Sequence, residues 1–372
     1  MKNSQLINYL KSNTIELLTE EFGIKVNHYD NFDILSYSQI DSPKSNPVVQ
    51  ECRGHVVCQT NNEIKFLCRP FDRFFNLGEM NFFEKDFDVP EYSILEKLDG
   101  SMINLWWNEF KNQWNFSTRK MGYAEGSLST NKSKTFYNLI MDVIKDINKI
   151  SDHLDKNKTY IFELTSPENR VVTRYINTKL TLLSIRNNMT GEYDNYNQMK
   201  NWIKIINIPK IELIKLYKIN NYDNILKMID LLPAINEGYV AWNEKNNHRV
   251  KIKNPSYVAI AHLKNNGIMA EKRIALLVLN NDEKEYLSYF PEDEYRFVPF
   301  IMARQKMKED IDKIIEKTKE INDMKELSIL IKNKNDALKY ILFNIKRGKL
   351  SYNEAYSKLS EQAKIKMINA YV

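Results

Sequence analysis

The sequence predicts an α+β domain followed by an all-helical one, on three observations. Residues 52–69 alternate enough to suggest a pair of half-buried strands, and segments within 101–118 and 238–253 likewise read as strand pairs, each joined by a polar turn. Between them, residues 134–151 carry apolar residues at helical spacing. Beyond about residue 270 strand signals nearly vanish and lysine-rich amphipathic segments take over, so the two textures belong to separate layers of structure.

In chain order, residues 2–20 read as a helix entering the strand-like Phe22-Gly23-Ile24-Lys25-Val26. The stretch 36–47, with Pro43 and Pro47, reads as an exposed loop. Gly54-His55-Val56-Val57-Cys58 and Ile64-Lys65-Phe66-Leu67-Cys68 form a hairpin across an Asn61-Asn62 turn. Ser101–Trp107 and Trp114–Thr118 form a second. Phe136, Leu139, Ile140, Val143, Ile144 and Ile147 line one helical face. Thr159–Leu164 and Lys179–Ile185 are strand candidates, residues 194–230 look helical and polar, and Gly238–Trp242 with His248–Lys253 make a third hairpin. Segments 271–280, 302–319, 322–347 and 352–370 favour helix. The expected domains are 1–265 and 266–372, with the boundary inside 255–275. Lys306–Lys319 reads either as a coiled-coil face or as a solvated charged surface.

Composition narrows the class. The 372 residues are 43% hydrophobic and 12% aromatic, enough for a sizeable core, and no run of 18 apolar residues marks a membrane span. The N-terminal segment is polar and amphipathic, unlike a signal peptide, so a soluble, cytoplasmic protein is expected, in host-cell cytoplasm if the gene is viral. Richness in Asn, Lys and Ile suits an A/T-rich coding sequence such as that of a virus or parasite. A net charge of +6 permits a polyanionic partner without requiring one. Cys52, Cys58 and Cys68 fit no common zinc spacing and are expected as free thiols in a reducing compartment. No pattern points to oligomers, so a monomer is expected.

The most informative stretch is Glu96-Lys97-Leu98-Asp99-Gly100-Ser101. A lysine two positions before Asp-Gly, between strand-like residues, suits a strand-end turn that displays an amine, with glycine permitting close backbone approach. An amine held among like charges can act as a covalent nucleophile. Other charged residues sit where a core strand would avoid them: Arg53 before Gly54, Glu163 inside Tyr160-Ile161-Phe162-Glu163-Leu164, Glu237 before Gly238, and Lys251 and Lys253 on one face of a strand. Each singly is open to a bland reading as a salt-bridge partner, a turn residue or a solvent face. Jointly they suit nucleotidyl transfer through a lysine, where positive charge must surround the phosphates and carboxylates orient a hydrated divalent ion or the ribose.

In order along residues 30 to 265, the chain resembles the RNA ligase 1 family. The likeness rests on Glu51-Cys52-Arg53-Gly54, Arg69-Pro70-Phe71-Asp72-Arg73-Phe74-Phe75-Asn76, Lys97-Leu98-Asp99-Gly100-Ser101, Phe162-Glu163-Leu164, Glu237-Gly238-Tyr239-Val240 and Lys251-Ile252-Lys253. The resemblance implies a covalent nucleotidyltransferase domain of ATP-grasp-like antiparallel sheets. It implies Lys97 as the site of the AMP adduct, Asp99 and Gly100 as positioning the nucleophile loop, and Arg53, Arg73 and Phe75 around the nucleotide. Glu163 would bind ribose or a hydrated metal, Glu237 would organise nucleotide and metal, and Lys251 and Lys253 would neutralise the α-phosphate. Tyr37 lies in a segment that flanks the family's nucleotide site. Two departures stand out: Arg73 occupies a position where the family has lysine, and after the nucleophile hairpin Lys120 is the match, with Arg119 the alternative. A further metal-associated acidic residue would be Asp282 or Glu283.

The implied activity is ATP-dependent joining of RNA 3′-hydroxyl and 5′-phosphate ends through lysyl-AMP and RNA-adenylate, with Mg2+ or, as a substitute, Mn2+. The implied partners are RNA, in particular transfer RNA with single-stranded broken anticodon-loop ends, and an end-healing kinase/phosphatase, and the helical domain would serve RNA specificity. Three rivals stay open. A DNA ligase normally carries a β-rich domain after the transferase. An RNA guanylyltransferase normally has an arginine shortly after the motif glycine, where Ser101-Met102 stands here. The third is a catalytically silent RNA-binding module.

Overall fold

The strand-like segments form three antiparallel-rich sheets in the computed structural model, which describes residues 4–60, 63–79, 89–128, 132–219, 221–264, 271–321 and 323–372. The chain divides into two compact units, Met1–Ala261 and His262–Val372. The strands, all in the first unit, are β1 (Ile24–Tyr29), β2 (Phe32–Tyr37), β3 (Arg53–Gln59), β4 (Ile64–Cys68), β5 (Phe75–Asn76), β6 (Ser93–Lys97), β7 (Ser101–Asn108) and β8 (Gln113–Thr118). They continue with β9 (Lys158–Thr165), β10 (Lys179–Asn187), β11 (Ile211–Leu213), β12 (Leu216–Tyr217), β13 (Gly238–Asn243) and β14 (His248–Lys253).

One sheet has the order β1-β2-β3-β4, a second β11-β10-β9-β7-β8 and a third β12-β6-β13-β14-β5. All three expected hairpins form, as β3–β4, β7–β8 and β13–β14, each antiparallel. The Asn61-Asn62 turn expected in the first lies outside the described residues. The core of the second sheet packs Leu105, Phe116, Phe162, Leu164 and Leu182 against helix Phe136–Ile144 and helix Tyr196–Ile206. Cys52, Cys58 and Cys68 are buried free thiols.

Several expected helices are broken, each for a visible reason. The segment 2–20 becomes Gln5–Leu10 and Glu16–Phe22, because Asn13 Nδ2 turns back onto the Tyr9 carbonyl (2.9 Å) instead of continuing the helix. The segment 134–151 stops at Ile144, where Lys145 takes φ 65°, and resumes as Asn148–Ser151. The expected helix over 194–230 contains β11, parallel to β10, and β12 at a sheet edge; runs of three and two residues are too short to show a period.

The second unit is helical: Glu271–Asn280, Glu283–Tyr289, Glu294–Glu320, Met324–Leu330, Asp336–Lys346, Tyr352–Ser357 and Glu361–Asn369. Its core includes Ile274, Leu277, Tyr286, Phe297, Ile341 and Met367. The segments 322–347 and 352–370 each split at an internal N-cap: Asn335 accepts from the Leu338 N–H and Ser360 from the Ala363 N–H. Along Lys306–Lys319, Met307, Ile311 and Ile314 are buried while Lys308, Glu309, Asp312 and Lys313 are exposed, so that stretch is an amphipathic face packed on one side. No helix of the described residues is long and apolar enough to cross a membrane.

Candidate active site

Strand register places the charged residues. Lys97 ends β6 opposite Gly238 of β13, and Gly238 in turn lies opposite Lys253 of β14. The two lysines are therefore in one row across three strands, and Glu237, one residue before that row, reaches both. Lys97 Nζ donates to Glu237 Oε2 at 2.7 Å, and Lys253 Nζ lies 2.9 Å from Oε1. Gly238 is required by this arrangement: at φ 129° an added Cβ would meet the Ile252 carbonyl oxygen at 2.3 Å. Although burial alone would raise it, the two ammonium groups hold the Glu237 carboxyl below its ordinary value.

Lys251, two residues before Lys253 and on the same face, donates to the Phe74 carbonyl at 2.8 Å. Burial first, then the cations Arg53, Lys97 and Lys253, pull its amine down to about 6. That shift favours the uncharged amine near neutral pH.

From the second sheet, Glu163 of β9 faces this row. Its Oε1 accepts from the Gly100 N–H at 3.0 Å. Burial pushes its carboxyl up to about 7, with Glu237 and Asp99 adding to the shift against the pull of Lys97 and Arg53. Gly100 admits no side chain, since a Cβ there would stand 2.4 Å from the Leu164 carbonyl oxygen. Asp99 is a brace: Oδ2 accepts from the N–H groups of Val172 and Thr173 (both 2.7 Å), and Oδ1 from the Tyr257 hydroxyl at 2.7 Å. Its own N–H donates to the Tyr175 hydroxyl at 3.1 Å. With both oxygens used, Asp99 fixes the turn that follows Lys97.

The first sheet contributes Arg53 at the start of β3. Its Nη1 lies 3.3 Å from Met102 Sδ, and its guanidinium sits over the Phe74 ring. Arg53, Phe71, Phe74, Lys97, Met102, Glu163 and Lys251 line one narrow pocket, so all three sheets converge on it. Beside it, the Tyr37 ring meets the guanidiniums of both Arg73 and Arg119, each 4.3 Å from the ring centroid. Arg73 also faces the Phe75 ring at 5.4 Å.

Of the residues singled out in the sequence, Arg53, Lys97, Asp99, Gly100, Glu163, Glu237, Lys251 and Lys253 come together, with Tyr37, Arg73 and Phe75 adjacent. Lys120 does not join them. It is exposed, and Arg119 holds the interior position, donating to the Tyr37 carbonyl at 3.0 Å. Only one of two consecutive residues can face inward after β8, and sequence cannot say which. Asp282 lies in the second unit, exposed, just before helix Glu283–Tyr289, where Glu283 pairs with Arg304 at 2.7 Å. Among the described residues no group of three or more His, Cys, Asp or Glu is arranged to hold a metal. Tyr175, Tyr257 and Met102 were missed, because they act through Asp99 and Arg53 and no spacing ties them to the motif.

The set can bind a polyanion, neutralise charge developing on phosphate, and present a primary amine to a narrow pocket. A family model described as RNA ligase matches residues 51–257. A protein of Autographa californica nuclear polyhedrosis virus, assigned as a bifunctional polynucleotide kinase/RNA ligase, is 28% identical over 315 residues, covering 79% of this chain and 43% of the relative. An RNA ligase of Rhodothermus phage RM378 is 24% identical over 295 residues, covering 63% of this chain and 66% of the relative. This chain thus spans only part of the length of either. An archaeal ATP-dependent RNA ligase of known structure superposes with a TM-score of 0.49 at 11% identity, over 79% of this chain and 83% of that one.

Proposed function

The chain belongs to the T4 RNA ligase 1 family, whose model covers more than half of it, and on that premise we propose that it is an ATP-dependent RNA ligase acting through Lys97. The observation that carries the reading is the shared carboxylate: Glu237 holds Lys97 and Lys253 together at the mouth of a pocket lined by Lys251, Arg53 and Glu163.

In the proposed first step, Lys97 Nζ attacks the α-phosphorus of ATP as the free amine, its displaced protons passing to solvent. An N–P bond forms and the bond to pyrophosphate breaks. Glu237 aims the amine, while Lys251 and Lys253 oppose the charge that gathers on the α-phosphate oxygens. The Tyr37–Arg73–Arg119 cluster and Arg53 supply cations for the outgoing phosphates. In the second step a 5′-phosphate oxygen of RNA attacks the same phosphorus and the N–P bond breaks, returning the amine. In the third, a 3′-hydroxyl attacks the activated 5′-phosphate and AMP leaves.

A divalent ion, Mg2+ or Mn2+, fits Glu163: this buried carboxylate has one oxygen on Gly100 and rises to about 7 among Glu237 and Asp99, so a nearby cation would restore its charged form. With no cage of three ligands among the described residues, the ion would keep water and phosphate oxygens around it, as magnesium prefers, and would neutralise phosphate charge.

For substrate we propose RNA with single-stranded broken ends, cleaved transfer RNA in particular. The viral relative's name pairs a kinase with its ligase, which supports an end-healing kinase/phosphatase as the partner. The test is incubation with α-labelled ATP or GTP and a divalent metal, then denaturing detection of label on wild type and Lys97→Ala. Label from ATP alone, absent in the variant, followed by joining of RNA rather than DNA strands, is expected. Label from GTP would move the protein to the capping class. If no label forms and pyrophosphate releases no AMP from the isolated protein, the ligase reading fails.

A further inference from the structure

A second cavity of about 600 Å³ shares Phe71, Phe74 and Arg249 with the pocket at Lys97. Arg69, Arg73, Arg186 and Arg249 line it, against two carboxylates, Glu51 and Asp72. Both carboxylates are committed. Asp72 holds Arg186 through two bonds of 2.9 and 2.8 Å, and Glu51 accepts from the Ser4 hydroxyl and from the Gln5 N–H at 2.8 Å.

The remaining guanidiniums are buried and only partly hydrogen-bonded among the described residues. Arg69 is 3% exposed, and its Nε and Nη1 have no hydrogen-bond partner among the described residues; Nη1 of Arg73, 9% exposed, has none either. Arg249, 7% exposed, makes long hydrogen bonds among the described residues, 3.3 Å to the Asn247 carbonyl and 3.5 Å to Ser184 Oγ. The rings of Phe71, Tyr193 and Trp242 surround it at 4.7, 4.1 and 4.8 Å. Burial first, with the neighbouring Arg186 cation adding to it, pulls Arg249 down to about 10. Buried charge left this way is costly unless a ligand completes it. Planar forks converging with surplus positive charge match the oxygens of a phosphate group.

We propose that this arginine-lined cavity binds a terminal phosphate group beside, and separately from, the nucleotide at Lys97. The inference rests on the RNA-joining reading only for the source of that phosphate, which is the 5′-phosphate of an RNA strand.

Two variants test it. Arg69→Gln removes an unpartnered guanidinium. Asn246→Asp, at the exposed rim, keeps the Oδ1 that accepts from the His248 N–H at 3.0 Å and adds one negative charge without disturbing the buried arginines. Inorganic phosphate and pyrophosphate are titrated calorimetrically into wild type and both variants. Binding of a 5′-phosphorylated against a 5′-hydroxyl oligoribonucleotide is measured by anisotropy, and label transfer from ATP is followed in the same preparations. If RNA supplies the phosphate, both variants lose about tenfold of the preference for the phosphorylated strand, while label transfer stays within about twofold of wild type. If instead label transfer and its reversal by pyrophosphate fall while the strand preference stays, the arginines serve the ATP phosphates and the proposal is overturned. The proposal is also overturned if wild type binds neither anion and shows no strand preference, or if variants with unchanged thermal unfolding keep every activity. Should Arg69→Gln fail to fold, Asn246→Asp decides alone. Absence of label on wild type would sink the ligase reading while the anion titrations still judge the cavity.

Discussion

Lys97 and Glu237 lie 140 residues apart in sequence, and their side chains meet at 2.7 Å because Gly238, beside the carboxylate, pairs across the sheet with the lysine. The same carboxylate holds Lys253 at 2.9 Å, so a single side chain positions the proposed nucleophile and one of its charge-neutralising partners. Its loss would disturb both.

Glu237→Gln is expected to slow label transfer from ATP about tenfold to a hundredfold, from the roughly 1.5–3 kcal/mol of a charge-assisted hydrogen bond. Single-turnover rates at saturating ATP check this; an unchanged rate would remove Glu237 from the mechanism. The stability effect has a definite sign. A carboxyl held below its ordinary value in the fold stabilises above its unfolded value, and that contribution is lost as pH falls through the folded one. The variant's deficit in thermal stability should be full at neutral pH and shrink below about pH 4.

Lys251 should take up a proton when ATP binds. Its amine sits near 6 in the free protein, so at pH 7.5 it is mostly neutral, and an adjacent phosphate favours the charged form. Calorimetry of ATP binding to Lys97→Ala, in buffers of different ionisation enthalpy, should show close to one proton absorbed. Lys251→Met should show none. Buffer-independent heats in the Lys97→Ala protein would contradict the buried-amine account.

Glu163→Gln should stabilise the metal-free protein in a pH-dependent way. The wild-type carboxyl keeps its proton up to about 7 in the fold but ionises near 4.3 when unfolded. The cost of holding it therefore begins near the unfolded value and is complete above about pH 7. The variant's advantage in Tm should be absent at pH 4, grow to several degrees by pH 7 and then level off. Added Mg2+ should erase it by stabilising the charged wild type. An advantage that is flat with pH would mean that ionisation is not the cause.

Arg119→Ala should weaken ATP use about tenfold or more, whereas Lys120→Ala should stay within about twofold of wild type. Arg119 lies over the Tyr37 ring, as Arg73 does, and Lys120 is exposed. Comparing KM for ATP in the label-transfer assay separates the two; equal losses would mean that the interior position is not the one used.

The hairpins of the first unit were legible because each strand runs five residues or more, apolar and flanked by a polar turn, and the Lys97–Asp99–Gly100 turn because glycine and a charged strand end are local signals. Less legible were β11 and β12, three and two residues long, and the split helices of the second unit, where Asn335 and Ser360 compete as caps inside otherwise continuous amphipathic runs. The metal-associated role considered for Asp282 rests on a weak local likeness, in a segment that belongs to the second unit.

By itself the sequence determined the texture of the two regions, the strand that displays Lys97 and the inventory of charges near it, because periodicity and turn chemistry are local properties of the chain. Only the tertiary structure decided which charges meet. Cross-strand register joined Lys97 to Glu237 and Lys253, the convergence of three sheets brought in Arg53 and Glu163, and the inward face after β8 selected Arg119 over Lys120. The buried arginines of the second cavity were likewise invisible along the chain. Arg69, Arg186 and Arg249 come from segments far apart in sequence, and whether a guanidinium finds a carboxylate is settled by packing in three dimensions.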